Sequence, residues 1–430
     1  MNAEQAVQLR RYRWQLFTAT WLSYAGFYLC RKVYAVIKHP LKLHFGFNDE
    51  QIAAPWTIYL IAYMFGQFLA AWLGRRMESR RVLLYGMSIA AATNVVLGFL
   101  VDSHQASVLL WLCVTMGIHG LAQATGWSHN VALFANWTKR SERGTLFGIW
   151  GTCYQLGAVA GKGLAGFLLG WLGMSWSFFG SSIVFFVFIV AFFFFARERP
   201  QSVGLSLEDE AEPDMPVANA SAGATSPLAA RDAPLPRGFV GSIIAMGMIY
   251  FGFKFLRYAL DSWSALILSE HFALSDATAA YLSTAFDWVG LLGVIAGGYW
   301  SDRMPGSRRT PVIFWMTLAC LVFTVTMRFA GLSSPVVFVV LLALIGFTQL
   351  GPDALLSGAC AMDIGSRRQA ALAAGVINGF GSFGPILQEP LIGWLKQTAG
   401  LNSVFTLLVG VGTLTTIGTW LLMRFERGKV

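Results

Sequence analysis

The sequence predicts an all-α polytopic membrane protein made of two related halves of six transmembrane helices each. Its apolar composition, its series of long apolar runs and a motif repeated between the halves carry this expectation. Of 430 residues, 56% are hydrophobic and only 12% charged, with 34 Phe and 16 Trp. A soluble domain carries about 25% charged residues, so this chain lacks the polar groups to cover a water-exposed surface. A hydrocarbon core about 30 Å thick needs roughly 20 apolar residues per helix. The runs here are that long and continuous, which excludes a soluble enzyme on one anchor and also the alternating pattern of a membrane β-barrel.

In chain order the expected spans are 14–38, 51–74, 82–101, 107–137, 145–173 and 176–196, then 239–268, 278–301, 311–331, 335–361, 368–398 and 402–424. The lead from Met1 to Trp14 carries Arg10, Arg11 and Arg13 without a small-residue cleavage site, so it reads as the approach to a retained first span. Between the halves, residues 197–237 are rich in Ala, Pro, Asp and Glu, with little to bury, and read as a linker. The expected division is therefore an N-terminal half at 1–196, a cytoplasmic linker at 197–237 and a C-terminal half at 238–430.

Basic residues set the expected orientation. They cluster at Arg75/Arg76/Arg80/Arg81, Lys139/Arg140/Arg143, Arg197/Arg199, Arg303/Arg308/Arg309, Arg367/Arg368 and Arg424/Arg427/Lys429, in alternate loops, the linker and both ends. The opposite loops, at 102–107, 173–175, 333–335 and 400–403, contain no Lys or Arg. The positive-inside rule then places both termini and the linker in the cytoplasm, at the cell's inner (plasma) membrane. Juxtamembrane anchoring accounts for the net charge of +9 without a nucleic-acid partner. The five cysteines, Cys30, Cys113, Cys153, Cys320 and Cys360, lie in apolar runs without ligand spacing, which argues against disulfides and a metal site.

The halves repeat in sequence. Tyr24-Ala-Gly-Phe-Tyr-Leu-Cys-Arg31 of the first span aligns with Tyr250-Phe-Gly-Phe-Lys-Phe-Leu-Arg257 of the seventh, and almost the same offset superposes Arg76-Met77 on Arg303-Met304. Such a parallel repeat relates two halves by an axis along the membrane normal.

An ionised side chain at the bilayer centre costs at least about 2.5 kcal/mol, so each one should face the bundle interior with a reason to be there. They are Arg31 and Lys32 in the first span, Lys162 in the fifth, Lys254, Arg257 and Asp261 in the seventh, Asp287 in the eighth, Asp353 in the tenth and Glu389 in the eleventh. Tyr24 and Arg31 are seven residues apart and share a helix face, and the repeat gives Tyr250 and Arg257 the equivalent face. Two guanidinium groups aimed at one cavity suit a phosphate dianion, which their forks bind bidentately and which relieves their repulsion. The competing reading is local neutralisation, as by Asp261 four residues after Arg257. Lys32, about 100° round the helix from Arg31, is expected to contact a neighbouring helix or tune the field, with direct binding of substrate in the cavity as the alternative. Lys162 and Lys254 are candidate partners for Asp287, Asp353 or Glu389, since buried ions are usually paired. His119 and His129 read as structural hydrogen-bonding groups, with proton carrying as the competing reading. Tyr24, Tyr28, Trp127, Tyr154 and Tyr258 are candidate cavity liners.

On these residues the chain resembles the organophosphate:phosphate antiporter family of the major facilitator superfamily. The resemblance runs over nearly the whole chain, through Tyr24 to Tyr34 with its Arg31-Lys32, Gly120 to Trp127, Leu256-Arg257-Tyr258 to Trp263, and Gly346 to Gly358. It implies the superfamily's twelve-helix fold, no enzymatic activity and a phosphate site formed by Arg31 and Arg257. The chain departs from the family where Tyr154 stands for a frequent His, Gln67 for a Lys, Ser128 for a Pro and Arg75 for an acidic residue whose counterpart, Asp302, survives in the second half.

The function implied is secondary exchange of a phosphorylated metabolite, a sugar phosphate above all, for inorganic phosphate by alternating access, with the bare arginines disfavouring passage of the empty protein. The alternatives are a membrane sensor of a sugar phosphate acting through a partner kinase, and a proton-coupled symporter using Asp287, Asp353 or Glu389. No phosphate-binding Gly-rich loop supports ATP-driven pumping, no cofactor or metal is called for, and a monomer is expected. Selectivity for the organic moiety is expected from Tyr154, Gln155, Gln388 and Glu389, with pairing of Glu389 to Lys162 or Lys254 as the competing reading.

Overall fold

The computed structural model describes residues 3–103, 106–138, 146, 149–205, 239–304, 309–356 and 367–427. Its helices are α1 (Ala3–Phe45), α2 (Asp49–Gly74), α3 (Ser79–Leu100), α4 (Val108–Gln123), α5 (Thr125–Trp137), α6 (Thr152–Leu172) and α7 (Met174–Phe195). They continue as α8 (Phe239–Phe272), α9 (Asp276–Ser283), α10 (Ala285–Arg303), α11 (Thr310–Ala330), α12 (Pro335–Ala354) and α13 (Arg367–Arg427). Residues 206–237 of the linker expected at 197–237, the basic cluster at Lys139 to Arg143 and Cys360 lie outside the described residues.

Nine segments among the described residues are long and apolar enough to cross a membrane. Outside that set stand α1, which carries Arg31, Lys32 and Lys38, and α6, while the last of the nine is interrupted at Gly400, whose φ of 77° ends one helix and starts the next. With those two helices and that break, the helical series matches the twelve expected crossings. Large apolar side chains such as Phe186, Val187, Phe194, Leu292 and Ile295 are exposed along the helices, as lipid-facing groups should be.

Several boundaries differ from expectation. The first helix begins at Ala3 and runs through Pro40 to Phe45, well past both ends of the expected 14–38. The fourth and eighth spans are each broken, between α4 and α5 and between α9 and α10. At both breaks a threonine returns its hydroxyl to a carbonyl three residues back, Thr125 to Ala122 at 2.8 Å and Thr284 to Tyr281 at 2.6 Å. This local bond competes with the regular helical ladder and bends it.

The chain divides into two compact units, one of Met1–Tyr34 with Ile58–Ala224, the other of Ala35–Thr57 with Thr225–Val430. The division passes through α1 just after Arg31, so the far end of α1 and the start of α2 pack with the C-terminal residues. In the first unit α1 is buried against α3, α6 and α7 through Phe27, Leu83, Met87, Cys153 and Phe185. In the second, α8 is buried against α12 and α13 through Leu260, Trp263, Phe338 and Phe405.

The two units repeat a close helix contact. A Cβ on Gly120 of α4 would stand 2.4 Å from the Tyr59 carbonyl oxygen of α2, and one on Gly346 of α12 would stand 2.3 Å from the Phe286 carbonyl oxygen of α10. Only glycine admits backbones this close, which is how membrane helices pack without a hydrophobic force between them. At the end of α3, Glu198 accepts from the backbone N–H groups of Ser79 and Arg80 at 3.2 and 2.8 Å. This carboxylate supplies the negative charge that a helix N-terminus favours.

Candidate functional site

In the first unit α1 presents Tyr24, Tyr28 and Arg31 on one face, as their spacing requires. Arg31 is buried, 7% exposed, and its guanidinium lies over the rings of Tyr28 and Tyr63 at 4.8 Å and of Tyr59 at 5.7 Å. Its Nε has no hydrogen-bond partner. Aromatic faces attract a desolvated guanidinium and hold its plane without using its hydrogen-bond donors. Tyr24 packs edge-on against Tyr28 at 5.6 Å and against Trp127 at 5.2 Å, and Tyr28 meets Tyr154 at 6.3 Å.

Glycines bring α6 into this group. A Cβ on Gly157 would meet the Ala25 Cα at 2.8 Å, and one on Gly161 the Tyr28 carbonyl oxygen at 2.8 Å. This contact carries Tyr154, Gln155 and Lys162 to the Arg31 helix. Gln155 and Lys162 are buried, and the Gln155 amide nitrogen has no partner. Lys32, also buried, lies 5.7 Å from the Tyr28 ring centre.

His119 bonds Thr93 Oγ1 at 2.8 Å and the Gln123 amide at 3.0 Å, and His129 bonds the Ala70 carbonyl oxygen at 3.1 Å. Both make the hydrogen bonds that a structural role calls for. Gln123 donates its amide to the Phe27 carbonyl oxygen at 2.9 Å, one turn before Arg31. In the second unit Gln349 of α12 donates to the Phe253 carbonyl oxygen at 2.7 Å, one turn before Arg257. The offset between Gln123 and Gln349 is the one that separates Phe27 from Phe253 and Arg31 from Arg257. The repeat thus includes the side-chain brace of the arginine-bearing helix, a feature that the motif in the first and seventh spans did not reveal.

The arginines themselves are not equivalent. Arg257 Nη1 donates to Asp353 Oδ2 at 2.9 Å, across from α8 to α12. By the same offset Asp353 corresponds to Trp127, so one half sets an indole where the other sets a carboxylate. The competing reading gave Arg257 an acid in Asp261; the ion pair observed is with Asp353. Arg257 is thus held by a carboxylate, whereas the groups described over the Arg31 guanidinium are tyrosine rings. Lys254, one turn before Arg257, lies 4.9 Å from the Tyr250 ring centre and donates to Asn378 Oδ1 at 3.3 Å. Tyr258 is partly buried on the same helix, and Asp287 is buried in the first turn of α10.

Glu389 is ion-paired, but with neither of the two lysines expected. Its carboxylate is fully buried and ion-paired with Lys38 of α1, which the list of intramembrane charges omitted because it falls at the expected end of the first span. Lys38 also donates to Ser262 Oγ at 2.7 Å and lies 4.2 Å from the Trp263 ring centre. Trp263 Nε1 and the Gln388 amide each donate to Glu389 Oε2 at 3.0 Å, and Ser262 donates to Oε1 at 3.2 Å. The carboxylate therefore has a complete set of donors. Pairing of Glu389 with Lys162 or Lys254 is corrected to pairing with Lys38, because the extra turns of α1 carry that lysine into the second unit. Lys38 lies seven residues beyond Arg31, on the face that Tyr24 and Arg31 share, which is the signal that could have found it.

Farther along α1, Lys42 donates to Asp49 at 2.6 Å and Glu270 at 2.7 Å, and Lys396 bridges the same two carboxylates at 2.9 and 2.5 Å. Burial alone would lower the Lys42 ammonium, but its bonds to Asp49 and Glu270 outweigh this and hold it above its ordinary value. Among the described residues no group of His, Cys, Asp and Glu could hold a metal ion.

The all-helical repeat, with a braced arginine in each half, defines a membrane transporter of the facilitator type. Residues 16–263 and 244–429 match the Major Facilitator Superfamily, and the chain belongs to it, with the organophosphate:phosphate antiporter-like members. It is 28% identical over 394 residues to Sugar phosphate exchanger 3 of Xenopus laevis, covering 84% of this chain and 76% of that one. The Glycerol-3-phosphate transporter of Bacillus subtilis is 27% identical over 431 residues, covering 98% and 94%. In three dimensions the chain is similar to a bacterial homolog of the human lysosomal transporter Spinster, with TM-score 0.75, 16% identity and coverage of 96% and 97%. A D-xylose-proton symporter gives TM-score 0.78 at 12% identity, covering 95% and 97%. At such identities these two structures establish the fold alone.

Proposed function

We propose that the protein is a secondary exchanger that trades a phosphorylated metabolite, a sugar phosphate in preference, for inorganic phosphate by alternating access. The observation that carries this is the repeated Tyr-x-Gly-Phe-x-x-x-Arg with its glutamine brace. It supports giving Arg31 and Arg257 the same task in the two halves, and a phosphate is the anion whose geometry two guanidinium forks match. Relatives named as sugar phosphate exchangers and glycerol-3-phosphate transporters support a phosphorylated substrate. The arginines bind the phosphoryl group, and Tyr28, Tyr63, Tyr154 and Gln155 contribute to recognition of the rest. The protein works as a monomer in the cell's inner membrane, with both termini and the linker in the cytoplasm, as its basic loops indicate.

The test is counterflow of labelled phosphate in liposomes containing the purified protein, against a panel of hexose phosphates, glycerol 3-phosphate and phosphoglycerates. Uptake that requires internal phosphate or ester is the expected result. Binding of a sugar phosphate without any exchange would reject transport in favour of a sensor.

A further inference from the structure

The site read above contains one feature that a phosphate-binding arginine does not need. Arg257 is engaged by a carboxylate of its own protein, Asp353, at 2.9 Å, and Asp353 is 6% exposed. A carboxylate and a phosphate oxygen compete for the same guanidinium donors, so a phosphate can use this face of the fork only by displacing Asp353. The displaced carboxylate cannot be left uncompensated in so buried a place, because an unpaired buried charge is costly. Lys254 meets that need. It stands about one turn before Arg257 on α8, and its own hydrogen bond is a long one to the neutral Asn378. The repeat shows that the carboxylate is particular to this half, since Trp127 occupies the equivalent place beside the Arg31 helix.

We propose that Asp353 is a resident counter-anion of Arg257 that phosphate must displace, and that Lys254 takes Asp353 over when it does. Phosphate binding is then an exchange of ion pairs in which Arg257 passes from Asp353 to the phosphoryl group and Asp353 passes from Arg257 to Lys254. Asp353 thereby acts as a specificity-determining residue: it selects anions that offer the guanidinium more than a single carboxylate does. This inference rests on the phosphate-binding reading of Arg257.

The experiment measures equilibrium binding of labelled inorganic phosphate to the purified full-length protein. Asp353→Asn, with its size-exclusion profile intact, should bind phosphate roughly tenfold or more tightly, because a charge-assisted competitor has been removed. Lys254→Gln should weaken binding by a similar factor, and this effect should vanish in the Asp353→Asn background. Two results overturn the proposal: Asp353→Asn binding no more tightly than wild type, or Lys254→Gln weakening binding equally in both backgrounds, which would make Lys254 a direct phosphate ligand. If Asp353→Asn does not fold, the sign of Lys254→Gln decides, since unchanged or tighter binding contradicts the handover. Failure of the parent reading looks different. There, wild type would not bind phosphate, or Arg31→Ala would bind it as wild type does.

Discussion

Lys38 of α1 and Glu389 of α13 form an ion pair in which neither side chain is exposed to solvent, with Ser262 and Trp263 of α8 closing the group. Four donors surround one carboxylate, so its negative charge is fully compensated. Removing one partner leaves the other charge buried and unpaired, which costs about 3–5 kcal/mol. Glu389→Gln should therefore destabilise the detergent-solubilised protein by roughly that amount in thermal unfolding. The double substitution Lys38→Met with Glu389→Leu should recover most of the loss, because an apolar pair of similar volume avoids the desolvation of two ions. A double variant no more stable than Glu389→Gln would show that the group matters through its hydrogen bonds rather than its charges.

Glu389 and substrate choice can be separated by the same variant. A carboxylate whose oxygens are occupied by Lys38, Trp263, Ser262 and Gln388 has no capacity left for sugar hydroxyls. Glu389→Gln should leave the ranking of hexose phosphate, glycerol 3-phosphate and phosphoglycerate unchanged in competition assays, even where total activity falls. A reordered ranking would return Glu389 to the substrate site.

The sequence disclosed the helical architecture because hydrophobic run length is a nearly sufficient signal in a bilayer, and it singled out Arg31 and Arg257 for the proposed site because a repeated arginine has few explanations there. What it did not disclose depends on which helices touch. Lys38 looked like a span-end lysine until α1 was seen to continue to Phe45. Tyr59 and Tyr63 of α2 looked like two more aromatics in an aromatic-rich chain. Asp353 had several cations within plausible reach, and only the contact between α8 and α12 selects Arg257 among them. The glutamine brace was legible in principle, since Gln123 and Gln349 obey the repeat offset, but a neutral amide draws no notice in a search for charges.

Arg31→Lys separates charge from geometry. The ammonium keeps the positive charge among Tyr28, Tyr59 and Tyr63 but loses the planar fork that stacks on the rings and meets two oxygens at once. A hydrogen bond to a charged group contributes roughly 1.5–3 kcal/mol, so the exchange rate at limiting phosphate should fall by about one to two orders of magnitude. Arg257→Lys should behave alike. Full exchange by both lysine variants would remove the arginines from the phosphate site.

Helix contacts at glycine yield a contrast within one residue type. Gly346→Ala would drive its Cβ to 2.3 Å from the Phe286 carbonyl oxygen, whereas a Cβ on Gly163 of α6 has nothing within 4 Å. Overpacking of this kind typically costs about 1–3 kcal/mol. Gly346→Ala should lower thermal stability accordingly, while Gly163→Ala should leave it unchanged or raise it slightly, since alanine favours the helix. Equal effects at the two positions would contradict the backbone contact between α10 and α12.

The charge state of the substrate supplies the last test. A phosphate monoester has a second pKa of about 6, so the dianion is nearly all of the ester at pH 7.5 and about a quarter of it at pH 5.5. If two guanidinium groups are matched to two negative charges, the apparent affinity for a hexose phosphate should fall roughly fourfold over that interval, in the direction of weaker binding as pH falls. The protein's own arginines keep their protons throughout. Sulfate is the control, because it stays a dianion over the whole interval. Inhibition of exchange by sulfate should therefore be constant between the two pH values if only the substrate titrates. Should sulfate inhibition also weaken on acidification, a protein group is taking up the proton. Ester affinity that does not change would mean that the monoanion binds equally well, and the match of two arginines to two charges would be wrong.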